Sequence, residues 1–462
     1  VGEEEVMVVR RGCRFIRLTA GMIAAALVAA GCASADGVRG EADEDRELNV
    51  LMVGNPQMED IQELTEANFT ARTGIKVNFS IVPENELRDK VTQDIATGAG
   101  QYDIATIGAY EVPIWASNGW LHEVSSYARA DKDFDAADLL PSMTELLTSD
   151  DGLMYGMPFY GESSMLMYRK DIFEQEGLTM PERPTWDQVA QLAAQVDGAQ
   201  PGMKGICLRG LPGWGEVMAP LTTVVNTYGG TWYTEDWQAQ VNAPEFAQAT
   251  KFYVDLVRAH GEPNAAQSGF TECLDAMSQG RVAMWYDATS GAGTLEDPSS
   301  SKAARKIGYA YAPVSRTQSS GWLWAWSWGM PADSKNADNA AEFILWASSK
   351  EYENLVGQQL GWSRVPAGKR ASTYQNPDYL RAASAFADIT LESIQRADPV
   401  SPGVQPRSTV GVQYVAIPEF ADLATKISQD ISAAIAGDGN IGPALDDGQK
   451  LAQQTGDKYQ GF

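Results

Sequence analysis

Tryptophans and charged side chains recur together along this chain at spacings that suit recognition. Trp285 and Asp287 stand two residues apart, so an extended strand turns both to one face and sets a flat apolar plate beside a charged acceptor. Arg209 and Trp214 flank the turn Gly210-Leu211-Pro212-Gly213, between a predicted strand and a predicted helix, where α/β lobes carry binding loops. Tyr110 and Glu111 follow a predicted strand over Asp103 to Ile107, Glu162 follows Gly161, and Arg364 stands in Trp362-Ser363-Arg364-Val365-Pro366. Trp322, Trp324, Trp326 and Trp328 alternate strictly, so a strand points all four one way, with Leu323, Ala325, Ser327 and Gly329 opposite. Trp328 is expected in the core and Trp322 or Trp324 in a cleft, while Trp115 is expected to pack. Aromatic rings cover apolar faces, and charged groups make hydrogen bonds worth about 1.5–3 kcal/mol each. Each residue also has a purely structural reading: Asp287 as a strand-end cap, Arg209 as an ion-pair partner, Glu162 as a solvated loop residue, the alternating tryptophans as sheet core.

The 462 residues are 44% apolar and 21% charged, long enough for two or three ordinary domains. Asp and Glu outnumber Lys and Arg by 61 to 35, a net charge of −26, with no basic stripe, which argues against a nucleic-acid partner. An anionic membrane surface repels such a chain as well. His122 and His260 are the only histidines, so a His-built zinc site or a Ser-His-Asp triad has little material. No metal and no cofactor are expected. Carboxylates are plentiful, and hydrolysis by paired acids is not excluded on composition.

Arg10, Arg11, Arg14 and Arg17 precede an apolar run from Leu18 to Ala30, which reads as a signal peptide over residues 1–31, too short for a permanent membrane span. Its ending, Ala29-Ala30-Gly31-Cys32, resembles the lipobox of bacterial lipoproteins and implies a lipid-carrying Cys32. A plain secretory signal is the alternative. Residues 32–47 are small and acidic and read as a tether. Cys13 falls in the signal, which leaves Cys207 and Cys273. In an oxidising compartment such a pair is expected to form a disulfide, worth about 4 kcal/mol for a loop of this size, with two buried thiols as the alternative.

From Leu48 onward, strand and helix signals alternate. Leu48 to Val53, Ile75 to Val82 and Asp103 to Ile107 read as strands, separated by helical spacing over Met58 to Thr73 and Glu84 to Ala96. This is the grammar of a parallel sheet covered by helices. A second alternation places a helix from Thr185 to Val196, a strand at Lys204 to Leu208, helices at Trp214 to Thr227 and Pro244 to Ala259, and strands at Arg281 to Tyr286, Ile307 to Tyr311 and Leu323 to Met330. The C-terminal third, including Val412 to Ile435, reads as mostly helical.

Several phrases resemble the family 1 extracellular solute-binding proteins of ABC importers, in particular the polyol-binding branch that handles sorbitol, mannitol and arabitol. They are Tyr110-Glu111-Val112-Pro113-Ile114-Trp115, Tyr160-Gly161-Glu162-Ser163-Ser164, Cys207-Leu208-Arg209-Gly210 with Gly213-Trp214-Gly215-Glu216, Met284-Trp285-Tyr286-Asp287-Ala288-Thr289 and Trp322-Leu323-Trp324-Ala325-Trp326. Val217 departs from the branch, which usually carries asparagine there. The resemblance implies an α/β fold of two lobes joined by crossing strands with a ligand cleft between. Crossings are expected near Ser164 to Arg169, Trp285 to Thr289 and Met330 to Ser334, which makes residues 48–165 with 288–331 one lobe and 166–287 with 332–462 the other. It further implies capture of a polyol or small sugar by a monomer, without chemistry on the ligand, and delivery to the transmembrane subunits of an ABC permease. The site would use Tyr110, Glu111, Glu162, Arg209, Trp214, Trp285, Asp287, Trp322, Trp324 and Arg364. The protein would be exported and held at the outer face of the cytoplasmic membrane through its lipid anchor alone, or be periplasmic if the organism has an outer membrane. The rival from another class is a secreted glycosidase, since tryptophan-lined clefts with carboxylates describe those enzymes too.

Overall fold

The computed structural model describes residues 46–460, so the expected signal peptide, Cys32 and most of the tether lie outside the described residues. Strand β1 (Glu47–Val53) is buried along most of its length, as a strand flanked on both sides in a helix-covered sheet must be. Asn55 then caps helix Pro56–Thr65 by accepting from the Met58 amide at 3.1 Å, with Pro56 in the first turn where its missing N–H costs nothing. The helix continues through a π-turn over Glu66–Thr70 and ends at Gly74, whose φ of 75° is the left-handed stop. Strand β2 (Lys76–Val82) and, after helix Glu84–Thr97, strand β3 (Ile104–Gly108) pair parallel to β1 on its two sides.

Strands β4 (Gly156–Glu162) and β5 (Ser164–Arg169) are separated by a single residue, Ser163, yet belong to different sheets. β6 (Met284–Ala288) and β7 (Ile307–Tyr311) flank β5 antiparallel. β8 (Trp324–Gly329) returns to the first sheet and inserts antiparallel between β3 and β4. Among the described residues the sheets run β2-β1-β3-β8-β4 and β6-β5-β7, and each anchors one lobe of a mixed α/β fold.

The expected lobe boundaries need two corrections. Ile307–Tyr311, placed with the first lobe as part of 288–331, pairs with β5 from Met165 to Arg169, so the chain returns to the first sheet between Tyr311 and Trp324. Helix Ala337–Ala347, placed with the second lobe, packs on the first: Phe343 and Trp346 each lie 5.2 Å from the Phe69 ring. Two elements also differ from expectation. Lys204 to Leu208 forms only two parallel bridges, Lys204 with Val282 and Cys207 with Trp285, which extend the smaller sheet beyond β6. The helix expected from Trp214 begins at Met218, because the preceding residues turn toward the cleft.

Cys207 and Cys273 are bonded, their Cα atoms 5.6 Å apart, which ties the bridge segment to helix Phe270–Ser278. Among the described residues no helix is long and apolar enough to cross a membrane.

Candidate functional site

A cavity of about 110 Å³ lies where the two lobes face each other. The first lobe contributes residues at the carboxyl ends of its parallel strands: Asn55 after β1, Glu84 and Arg88 after β2. Tyr160 and Glu162 come from β4, and Trp324 and Trp326 from β8. The second lobe contributes Arg209, Trp214, Glu216 and Phe270. The position follows the rule that open α/β sheets bind ligands beyond their strand ends.

Arg209 anchors the second-lobe wall. Its guanidinium makes two parallel bonds to Asp287, Nε to Oδ2 at 2.9 Å and Nη2 to Oδ1 at 2.6 Å, and Nη1 donates to the Gly215 carbonyl at 2.8 Å. Trp285 Nε1 donates to Asp287 Oδ2 at 3.1 Å, and the Ala288 amide donates to Oδ1 at 2.7 Å. The fully buried carboxylate therefore has every acceptor position used by protein. Burial disfavours the Arg209 charge, but Asp287, with Glu216 and Glu84, more than offsets it and holds the pKa above the ordinary arginine value.

Arg88, on helix Glu84–Thr97, is the counterpart from the first lobe. It lies 4.0 Å over the Trp214 ring and 5.3 Å from Trp326, with Glu84 at 2.8 Å and Glu111 as its ion-pair partners. Glu111 in turn accepts from the Gly108 amide at 3.0 Å. Trp324 stands edge-on to both Trp214 and Trp326, with centroids 5.9 and 5.8 Å away. Its ring lies so close against β3 that a Cβ on Gly108 would fall 1.8 Å from it, so only glycine fits there.

Two carboxyls facing the cavity are shifted upward. Burial raises Glu162 to about 8, opposed by the 2.5 Å bond from Ser290 Oγ. Burial also raises Glu216 to about 8, reinforced by the charge of Glu84 across the cleft.

Of the residues singled out in the sequence, Glu162, Arg209, Trp214, Trp322 and Trp324 line the cavity. The others stand behind it. Trp285 and Asp287 are fully buried and support Arg209. Glu111 holds Arg88. Tyr110 packs 4.7 Å from the Trp214 ring, and its hydroxyl donates to the Ile417 carbonyl at 2.9 Å. Arg364 is not among the residues that line the cavity and is paired with Asp60 and, at 3.6 Å, with Asp297. Trp328 sits in the core against Phe159, and Trp326 joins Trp324 at the cavity.

Arg88, Glu84, Glu216, Trp326, Phe270 and Gln413 were not singled out. Glu216 stood in the quoted Gly-Trp-Gly-Glu phrase and was legible there. Glu84 and Arg88 form an i,i+4 pair, which in sequence reads as a solvated helix face. Among the described residues no group of three or more His, Cys, Asp or Glu side chains is placed to hold a metal ion.

This chain is similar to a mannitol-binding protein of Pseudomonas aeruginosa, 40% identical over 399 residues that cover 86% of this chain and 90% of that one. It is 25% identical to an erythritol/L-threitol-binding protein of Mycolicibacterium smegmatis over 66% of this chain and 67% of that one. Its structure superposes on an ABC transporter solute-binding protein of Agrobacterium vitis with bound D-mannitol, at a TM-score of 0.87 and 45% identity, covering 89% and 99% of the two chains. Residues 55–354 match the family described as bacterial extracellular solute-binding protein. With a two-lobed α/β architecture, a cleft at the strand ends and a match over well over half its length, the chain belongs to the bacterial extracellular solute-binding proteins.

Proposed function

We propose that this protein captures a linear polyol of the mannitol type between its lobes and delivers it to the membrane subunits of an ABC importer. The observation that carries this reading is the cavity wall, which combines the rings of Trp214, Trp322, Trp324 and Trp326 with Glu162, Glu216 and Arg209. An alditol carries C–H faces along its chain and a hydroxyl on every carbon, each hydroxyl donating and accepting, and this wall offers plates for the first and charged partners for the second. Glu162, Arg209, Trp214, Trp322 and Trp324 contact the ligand in this reading, while Tyr110, Glu111, Trp285 and Asp287 position them. Closure by hinge motion places first-lobe Arg88 over second-lobe Trp214 and buries the ligand.

The 45% identical neighbour with bound D-mannitol supports the ligand class. Isothermal titration with D-mannitol, D-sorbitol, D-arabitol and xylitol tests it: saturable binding of at least one is expected, and no binding to any of the four rejects the polyol assignment. We further propose that Cys32 carries the lipid that keeps the protein at the outer face of the cytoplasmic membrane. Metabolic labelling with palmitate, lost in Cys32→Ala with release of the protein from the membrane fraction, is the outcome expected.

A further inference from the structure

Two polar atoms in the cavity wall have no partner within the protein. Trp322 Nε1, a donor only, and Gln413 Oε1, an acceptor, are both buried without a hydrogen bond, on residues 2% and 3% exposed that line the cavity. A buried polar atom left unmade costs about five- to a hundred-fold in an equilibrium, and where such an atom lines a cavity a bound molecule can complete it.

The orientation of the Gln413 amide is fixed by chemistry. Its Nε2 donates to the Leu323 carbonyl at 3.2 Å, and a carbonyl only accepts, so the oxygen must be the atom left over. Its backbone is fixed as well. Asn226 Nδ2 donates to the carbonyl of Val412 at 2.6 Å, and the ring of the next residue, Tyr414, packs 5.6 Å from Tyr110 and 5.9 Å from Trp324. The side chain is therefore held on both sides with its acceptor free. Leu323, which takes the Gln413 amide, is the neighbour of Trp322, so the free donor and the free acceptor are set by one short stretch of chain.

Resting on the polyol reading, we propose that Gln413 is a specificity-determining residue whose Oε1 accepts the proton of one particular ligand hydroxyl, with Trp322 Nε1 donating to a ligand oxygen. The pair demands a group that donates at one place and an oxygen that accepts at another. A hydroxyl satisfies Gln413, whereas a methylene, an ether oxygen or a carbonyl in that place leaves the buried amide oxygen unmade.

The test is a ligand-by-protein cycle by isothermal titration. Wild type, Q413M and W322F are each titrated with whichever of D-mannitol or D-sorbitol binds wild type more tightly, and with its monodeoxy analogues. In wild type, loss of one hydroxyl position is expected to weaken binding about ten- to hundred-fold. In Q413M the full hexitol is weakened by a similar factor, and that same position then costs less than about three-fold while the penalties at the other positions persist. W322F keeps the aromatic plate and is expected to weaken the full hexitol about ten-fold. If Q413M weakens the hexitol and every analogue by the same factor, or leaves all of them unchanged, Gln413 has no selective role and the proposal is overturned. The melting temperature of ligand-free Q413M provides a check on a merely structural role. A large drop together with uniform weakening assigns Gln413 to packing. If wild type binds only a pentitol, the same cycle is run with that pentitol and its monodeoxy analogues; binding to none of the four polyols overturns the polyol reading, and this proposal with it.

Discussion

Arg209 and Asp287 meet in two parallel hydrogen bonds, 78 residues apart in sequence and sealed from solvent, and the Trp285 indole shares the same carboxylate. The arrangement turns a residue chosen for its ligand chemistry into the support of another. Asp287 has no acceptor left for a hydroxyl, whereas Arg209 retains a face toward the cavity between Phe270 and Trp322, whose rings lie 5.3 and 5.9 Å from its guanidinium.

Breaking this pair by Asp287→Asn leaves a buried guanidinium without its main counter-charge. Removal of one partner from a buried pair costs about 3–5 kcal/mol, so the urea midpoint is expected to fall sharply. Polyol affinity measured on the folded protein should fall at least ten-fold, since the orientation of Arg209 is lost with its partner. Unchanged affinity in Asp287→Asn would show that Arg209 does not contact ligand.

Gly215 sits where the lobes touch. A Cβ there would come within 2.0 Å of Glu84 Oε1 and 3.1 Å of Arg88 Nη2, both held by their own ion pair. Gly215→Val is therefore expected to resist closure without harming either lobe. Its melting temperature without ligand should stay close to that of wild type, its affinity should drop by an order of magnitude or more, and its radius of gyration by X-ray scattering should no longer shrink on adding ligand.

The upward-shifted carboxyls set a pH dependence. Glu162 and Glu216 hold their protons up to about 8 in the folded protein, against an ordinary value of 4.5, so the folded state binds protons more tightly than the unfolded chain. Their stabilising contribution is full below pH 4.5 and is lost as the pH rises through 8. The melting temperature should fall by several degrees between pH 5 and pH 8.5. Glu216→Gln should remove part of that fall and the double variant with Glu162→Gln most of it; an identical slope in the double variant would reject these groups as the source.

The disulfide has a role near the cavity as well as a global one. Cys207 stands two residues before Arg209, and Cys273 lies on the helix whose first turn brings Phe270 to the cavity wall. The paired Cys207→Ser, Cys273→Ser variant should lose about 4 kcal/mol of stability by urea unfolding. It should also bind polyol more weakly, because Arg209 and Phe270 are no longer tied to each other.

The first lobe was legible because its strands and helices have distinct periods: apolar runs at Leu48 to Val53 and Asp103 to Ile107, with helical spacing between them. The sheet that β7 joins was not legible, since Ile-Gly-Tyr-Ala-Tyr has the same pattern whichever neighbour it meets. The tryptophan row was half legible. Alternation places Trp324, Trp326 and Trp328 on one face but says nothing of depth, and only packing against Phe159 separates Trp328 from the two at the cavity. Asp287 shows the limit of reading by residue type, since an aspartate that binds a hydroxyl and one saturated by Arg209 and Trp285 look alike in sequence.

Ser163, alone between β4 and β5, makes the cleft a lever with unequal arms. Its amide donates to Thr289 Oγ1 at 3.1 Å and its carbonyl accepts from the Thr289 amide at 2.8 Å, so two of the connections between the lobes are laced into one narrow pivot. Glu162 is the next residue toward the cavity. In the proposed reading a ligand held by Glu162 acts close to the fulcrum, where a displacement of a fraction of an ångström swings the distant lobe surfaces through a much longer arc.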